Sequence, residues 1–184
     1  LKNIINNVES SVDINESLGM LDSICYADGP RPNPNQLLHQ TNLFNSIYEI
    51  ISSTSDEYIL FLCLHISVHL SLANSLQDSQ FLNPEIFIKF IQLLNIIYSE
   101  KYHFSIYQAI LRILLNISLD SGFSIDIVDS IVNENFISKL SEFFVFNINM
   151  NDQILSYRIA INIAQLIYEN DLIKNLSIFI DLIQ

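Results

Sequence analysis

Arginine and asparagine stand four residues apart twice in this chain, as Arg112 with Asn116 and as Arg158 with Asn162. That interval is just over one helical turn, so on a helix each pair shares a face. A guanidinium grips a carboxylate in a forked geometry. A side-chain amide carries both a donor and an acceptor, which suits it to clamp the main chain of an extended peptide. Arg112 and Arg158 are two of only three arginines in the 184 residues. Their shared place in a recurring pattern points to a common task, the capture of acidic side chains or a peptide carboxylate. The alternative, in which each arginine pairs with an acid of its own chain, stays open on sequence. His65 and His69 have the same spacing. It can hold a metal, but Ile66 stands where the H-E-x-x-H pattern needs its glutamate, and no third ligand is evident. Packed or groove-lining histidines are the better reading.

Other chemistries find little support. Cys25 and Cys63 lie on apolar helical stretches, where thiols are ordinarily inert. Two scattered cysteines build no disulfide framework and fit a reducing compartment. There is no glycine-rich phosphate loop and no carboxylate pair in a cleft-like context. The acids Asp126 and Asp129, or Glu49, Asp56 and Glu57, read as solvated helix ends and faces. The expectation is a protein that is not an enzyme, with no cofactor and no metal.

The helix that must position Arg112 and Asn116 spans about 103–121. Ile106, Ile110, Ile113 and Ile117, with Leu114 beside them, share one face. Ser105, Gln108, Arg112 and Asn116 form a polar stripe within about 80° of arc. Gly122 then provides a stop. The pattern recurs. Arg112-Ile-Leu-Leu-Asn116-Ile-Ser is matched by Arg158-Ile-Ala-Ile-Asn162-Ile-Ala, 46 residues on, and by His65-Ile-Ser-Val-His69-Leu-Ser, 47 residues back. A fainter copy, Gly19-Met-Leu-Asp-Ser23-Ile-Cys, lies a further 46 back. The copies occupy about 16–28, 57–75, 103–121 and 151–169. Such a period falls in the range of roughly 40–47 residues expected of all-helical HEAT or armadillo repeats. The predicted stripe is His65, His69, Gln108, Arg112, Asn116, Arg158 and Asn162.

Between the striped helices the chain reads as more helices. A short one covers 1–12, and the next, from about Glu16 to Tyr26, is capped by Asp13 or Asn15. Pro30, Pro32 and Pro34 then forbid a helix and impose an extended segment. Periodicity predicts a helix over 36–53, with Leu37, Phe44, Ile47 and Ile51 inward. Asp56 caps the next helix at 57–75. Asn83 caps one over 84–98, with Pro84 in its first turn. Further helices are expected at 124–132, at 134–146 with Phe136, Leu140 and Phe143 inward, and at 171–183. Each unit thus reads as a short helix, a long helix and a striped helix, which favours armadillo over two-helix HEAT repeats. No stretch alternates with the period of a strand.

Composition agrees. Half of the residues are apolar and 15% are charged, against about 25% charged in typical soluble domains. Such helices must be buried on more than one side, and none could cover its apolar face alone, so stacking supplies the core. The net charge of −12 argues against nucleic acid, which needs a basic stripe. The oiliest run, 59–73, carries two histidines and two serines and is shorter than the ~20 residues of a membrane span. No signal peptide is visible. The chain lacks an initiator Met and stops directly after an apolar run, so flanking repeats are expected at both ends.

At this point the residues resemble a known family. The striped helices are similar to the armadillo motif W-A-L-S-N-I-A-x-G, whose Trp and Asn line a concave wall. Asn116 and Asn162 stand at the Asn, with Ser23 and His69 at the same place in the other copies. Gly19, His65, Arg112 and Arg158 stand at the Trp, and the chain has no Trp at all. The run Ser23-Ile-Cys25-Tyr-Ala-Asp-Gly29-Pro-Arg-Pro32-Asn-Pro34 resembles the N-L-C-R-G-K-x-P-x-P stretch of importin-α (karyopherin-α) proteins. The resemblance implies an all-α, right-handed α-solenoid of about four armadillo-like (ARM/HEAT) repeats over residues 1–184. It implies a cytoplasmic or nuclear scaffold that binds another protein or an extended peptide on its concave face. It further implies a nuclear transport adaptor that engages importin-β-type machinery, with neither nucleic acid nor membrane as a partner. Without the Trp shelves, a classical nuclear-localisation peptide has no counterpart for its Lys and Arg stems here. The rival expectation is an architectural segment of a larger complex, lacking a peptide groove.

Overall fold

The computed structural model describes residues 1–10, 13–26, 29–40, 42–73, 83–96, 99, 101–119, 154, 158–162 and 165. The described residues are all-α and contain no strand. Seven helices are complete: α1 (Lys2–Glu9), α2 (Ile14–Tyr26), α3 (Pro34–Gln40), α4 (Leu43–Ser53), α5 (Glu57–Leu70), α6 (Pro84–Leu93) and α7 (His103–Ser118). Residues 154, 158–162 and 165 are helical too. The helices expected at 124–132, 134–146 and 171–183, and most of the last striped copy, lie outside the described residues.

Local chemistry sets the starts of these helices. Asp56 accepts hydrogen bonds from the backbone N–H groups of Tyr58 and Ile59 at the head of α5, satisfying two of the first-turn donors that a helix leaves unpaired. Asn83 Oδ1 accepts from Glu85 N–H at 2.9 Å, with Pro84 in the first turn of α6. The same device opens α3, where Asn33 Oδ1 accepts from Asn35 N–H at 2.9 Å and Pro34 follows. The helix expected over 36–53 is therefore two helices. The break before α4 is fixed from a distance, because the Asn42 N–H donates to Glu9 Oε1 at 3.0 Å. Asp13, just before α2, holds a positive φ of 50° and offers its carbonyl to Ser17 N–H.

α5 and α6 end earlier than periodicity implied. After Leu70 the bonds shorten to a three-residue reach, from Leu72 N–H to the His69 carbonyl and from Ala73 N–H to the Leu70 carbonyl. After Leu93 the same happens at Leu94, Asn95 and Ile96. Such tightened last turns close a helix without a glycine.

The chain divides into two compact units. The first is Leu1–Gln80 with Ile97–Ala109, and the second is Phe81–Ile96 with Ile110–Gln184. In the first unit α2 lies against α1 and α5, α5 also touches α3 and α4, and α1 meets α4. The two striped copies α2 and α5 thus pack directly on each other. α3, α4 and α5 follow in the order short, long, striped. α5 is buried nearly all round, with Leu62, Cys63, Leu64, Ile66, Val68 and Leu70 covered, as a central helix must be. Its buried hydroxyls are satisfied locally, Ser67 Oγ donating to the Cys63 carbonyl at 2.8 Å and Ser71 Oγ to that of Val68 at 2.8 Å. Leu37, Phe44, Ile47 and Ile51 are buried as their spacing predicts.

In the second unit Ile86, Phe87, Phe90, Ile91 and Leu93 line the covered side of α6. Ile110, Ile113, Leu114 and Ile117 in this unit, and Ile106 in the first, are each fully covered along α7. Among the described residues no helix is long and apolar enough to cross a membrane.

Candidate functional site

The stripe residues meet different environments. In the second unit Arg112 and Arg158 are exposed, whereas Asn116 and Asn162 are half-buried. Neither arginine has a carboxylate within 4 Å among the described residues, where the single ion pair is His65 with Asp22. Asn162 Nδ2 donates to Ser118 Oγ at 3.0 Å, and that hydroxyl donates in turn to the Leu115 carbonyl at 2.8 Å. One stripe amide is thereby tied to the end of the preceding striped helix. Ser105 is exposed and Gln108 half-buried on the first-unit part of α7.

In the first unit the two histidines are held from both sides. His65 Nδ1 donates to Asp22 Oδ1 at 2.7 Å, with 28% and 18% of the two side chains exposed. The His65 ring stacks on Tyr26 with centroids 3.8 Å apart and planes 7° from parallel. The Tyr26 hydroxyl donates to the His65 carbonyl at 2.7 Å. His69 is only 5% exposed. Its Nε2–H donates to the Pro32 carbonyl at 3.0 Å, and its ring meets Tyr26 edge-on. Burial pushes the His69 pKa down from its ordinary value, against the favourable bond to Pro32 and with help from the Arg31 charge. His69 therefore stays neutral near pH 7 and acts as a main-chain donor.

The first striped copy is open where the others carry a long side chain. Gly19 leaves a space in which an added Cβ would find nothing within 4 Å. Around it lies a shallow, wide-open cleft lined by Ile4, Glu16, Met20, Ser23, Ile24 and Tyr58. Gly19 and Ser23, the faint copy of the Arg–Asn pair, form part of its floor. Tyr58 is 46% exposed and links the cleft to a row of rings that sequence reading did not pick out. Tyr26 stacks on His65, His65 on Phe61 (5.3 Å) and Phe61 on Tyr102 (6.0 Å), and Tyr102 meets Tyr58 at 6.1 Å. Lys101 Nζ sits 4.7 Å over the Tyr102 ring. The rings come from α2, α5 and the turn before α7. No single stretch of sequence displays the row, and only the i, i+4 spacing of Phe61 and His65 hinted at it.

Burial, aided by Asp22, pushes the Cys25 thiol up to about 12, and burial alone does the same for Cys63. Neither thiol yields a useful thiolate near neutral pH. Among the described residues no three His, Cys, Asp or Glu side chains converge as metal ligands would. No family model, curated protein or solved structure matches the chain.

Proposed function

We propose that the chain is a non-enzymatic protein-binding scaffold, a right-handed solenoid of about four armadillo-like repeats whose striped face takes an extended peptide. The observation that carries this reading is the state of Arg112 and Arg158. Both are exposed and neither meets a carboxylate among the described residues. An exposed guanidinium is suited to an incoming carboxylate. The finer form of the proposal is a divergent importin-α-like transport adaptor, cytoplasmic or nuclear, that works with importin-β-type machinery. It rests on the armadillo-like motif and the proline-spaced run after Cys25.

The test is a titration with an acidic peptide. Arg112→Glu combined with Arg158→Glu should abolish binding and leave the thermal unfolding midpoint nearly unchanged. A double variant that unfolds would make these arginines structural and end the groove reading.

A second reading is favoured by a separate observation. Asn162 is engaged by Ser118, and His69 is buried beneath Pro32, so these stripe groups serve the fold itself. An architectural segment that joins subunits of a larger complex would use them in that way. An acidic peptide that fails to bind the folded wild-type chain would favour this alternative.

A further inference from the structure

We propose that the exposed face formed by Ile154, Arg158 and Ile161 takes an extended partner segment in which one carboxylate stands between two large apolar side chains. The proposal rests on the peptide-binding reading above and names the class of peptide that the second unit selects.

Charge sets the first requirement. Among Asp, Glu, Lys and Arg, Arg112 stands alone between Lys101 and Asp120, and Arg158 stands alone between Asp152 and Glu169. Each striped stretch thus carries one cation and no acid, in a chain of net charge −12. Both guanidiniums are exposed, and each complements a carboxylate in a forked geometry. A ligand rich in acids would gain at one cation and be repelled by the surplus negative charge of the chain. A segment with a single carboxylate and an otherwise uncharged surface escapes that repulsion.

The neighbours of Arg158 set the second requirement. At 100° per residue, positions 154, 158, 161 and 165 fall within about 60° of arc, and Ile154, Arg158, Ile161 and Gln165 are all exposed. Ile159, outside that arc, is fully covered. The free face of a helix is ordinarily polar. Here two branched apolar side chains, 48% and 62% exposed, bracket the one charge, four residues before it and three after. The apolar surface extends to the end of α7. Asn162, next to Ile161, donates to the hydroxyl of Ser118, and Ser118 is followed by Leu119, which is exposed as well.

The spacing fits an extended ligand. Residues three or four apart on a helix surface have Cβ atoms about 5–6 Å apart. In an extended chain, side chains on one face recur every second residue, about 6.6 Å. A segment of the form apolar–x–acid–x–apolar therefore sets its carboxylate on Arg158 and one apolar side chain on each isoleucine. The apolar contacts exclude water from the ion pair and strengthen it, whereas a solvated pair contributes little.

The experiment titrates the full chain with three labelled serine-rich peptides of equal length, whose centres read Leu-Ser-Asp-Ser-Leu, Ser-Ser-Asp-Ser-Ser and Leu-Ser-Asn-Ser-Leu. Fluorescence anisotropy should show the first binding about tenfold or more tightly than the other two. Ile154→Ser and Ile161→Ser should each weaken it about three- to tenfold. Arg158→Glu should abolish it, and a peptide with Lys in place of its Asp should bind that variant, a rescue that a merely structural arginine would not give. Leu72→Ser, at an exposed apolar residue of the first unit, should leave binding unchanged. Circular dichroism checks the fold of each variant, and the comparison of peptides on the wild-type chain stands without any variant. The proposal is overturned if the Asn-centred peptide binds as well as the Asp-centred one, if both isoleucine variants bind like the wild type, or if phosphatidylserine vesicles bind the chain and displace the peptide. It is also overturned if the chain dimerises through this face, so that Ile154→Ser and Ile161→Ser dissociate a dimer in sedimentation while no peptide binds. If the peptide without leucine binds as tightly as the first and depends on Arg112 and Arg158, the inference falls and the peptide-binding reading stands. If none of the three binds, both fall.

Discussion

The junction of α2 and α5 can be tested on a single hydroxyl. Tyr26→Phe keeps the ring stacked on His65 and removes only the O–H that donates to the His65 carbonyl at 2.7 Å. A half-buried hydrogen bond of this kind contributes about 0.5–1.5 kcal/mol net. The lower part of that range applies here. The His65 carbonyl lies within α5, whose own ladder supplies it with a donor, so no acceptor is stranded. The expected loss is about 0.5–1 kcal/mol, on the order of 1–4 °C in a chain of this size. The ring contact is measured separately with Tyr26→Ala, His65→Ala and the double variant. The hydroxyl bonds to backbone, so His65→Ala preserves it. The coupling then reports the stack and the edge of the Asp22 pair, at about 0.5–1.5 kcal/mol. Urea unfolding followed by helical circular dichroism gives both quantities. An unchanged midpoint for Tyr26→Phe, together with a coupling below about 0.3 kcal/mol, would show that the two striped helices do not meet as described.

Two other substitutions give opposite signs. Gly19→Ala should stabilise the chain by about 0.5–1 kcal/mol, because Gly19 is mid-helix, its φ is not positive, and the new methyl meets nothing; a lowered urea midpoint would show that the cleft is in fact filled. His69→Gln addresses pH. Burial lowers the pKa of His69 in the folded chain, so the unfolded chain binds the proton more readily. The contribution of His69 is therefore fully present above its ordinary value of 6.5 and is lost as pH falls below it towards the lowered folded pKa. The stability difference between wild type and His69→Gln should be flat above pH 7 and shrink on acidification, and a difference that grows in acid would contradict the assigned direction.

What the sequence revealed depended on how local the cause was. Asp56 and the Asn83–Pro84 pair announce their helices because a cap acts within three residues. The inward face of α7 was legible because burial follows the helical period. Asn33–Pro34 carries the same signal as Asn83–Pro84, yet the neighbouring prolines masked it as plain extended chain. The break ahead of α4 has no Gly or Pro to mark it, because its cause is Glu9, 33 residues away. His69 shows the limit most clearly. Its place on a helix was readable, but its burial depends on the proline segment folding back onto α5, a contact 37 residues long in sequence. The ring row was hidden for the same reason, since its members belong to three elements and acquire meaning only when those elements pack.

The spacing of the contacts between copies carries more than the spacing of the copies themselves. Asp22 bonds His65, Glu57 accepts from the Ser99 N–H and hydroxyl, and Asn162 donates to Ser118, at separations of 43, 42 and 44 residues. The repeat itself advances by 46 or 47. In each case the partner in the next copy therefore lies before the equivalent residue: 65 rather than 68, 99 rather than 104, and 162 rather than 164. The offset has the same sense at all three places, two in the first unit and one in the second. The size of the offset varies, from two residues to five, so only its sense is shared; side chains on a helix lean towards its N-terminus, which favours that sense. The residues at these junctions are held by bonds between helices far apart in sequence, whereas Arg112, Arg158 and Tyr58 are exposed.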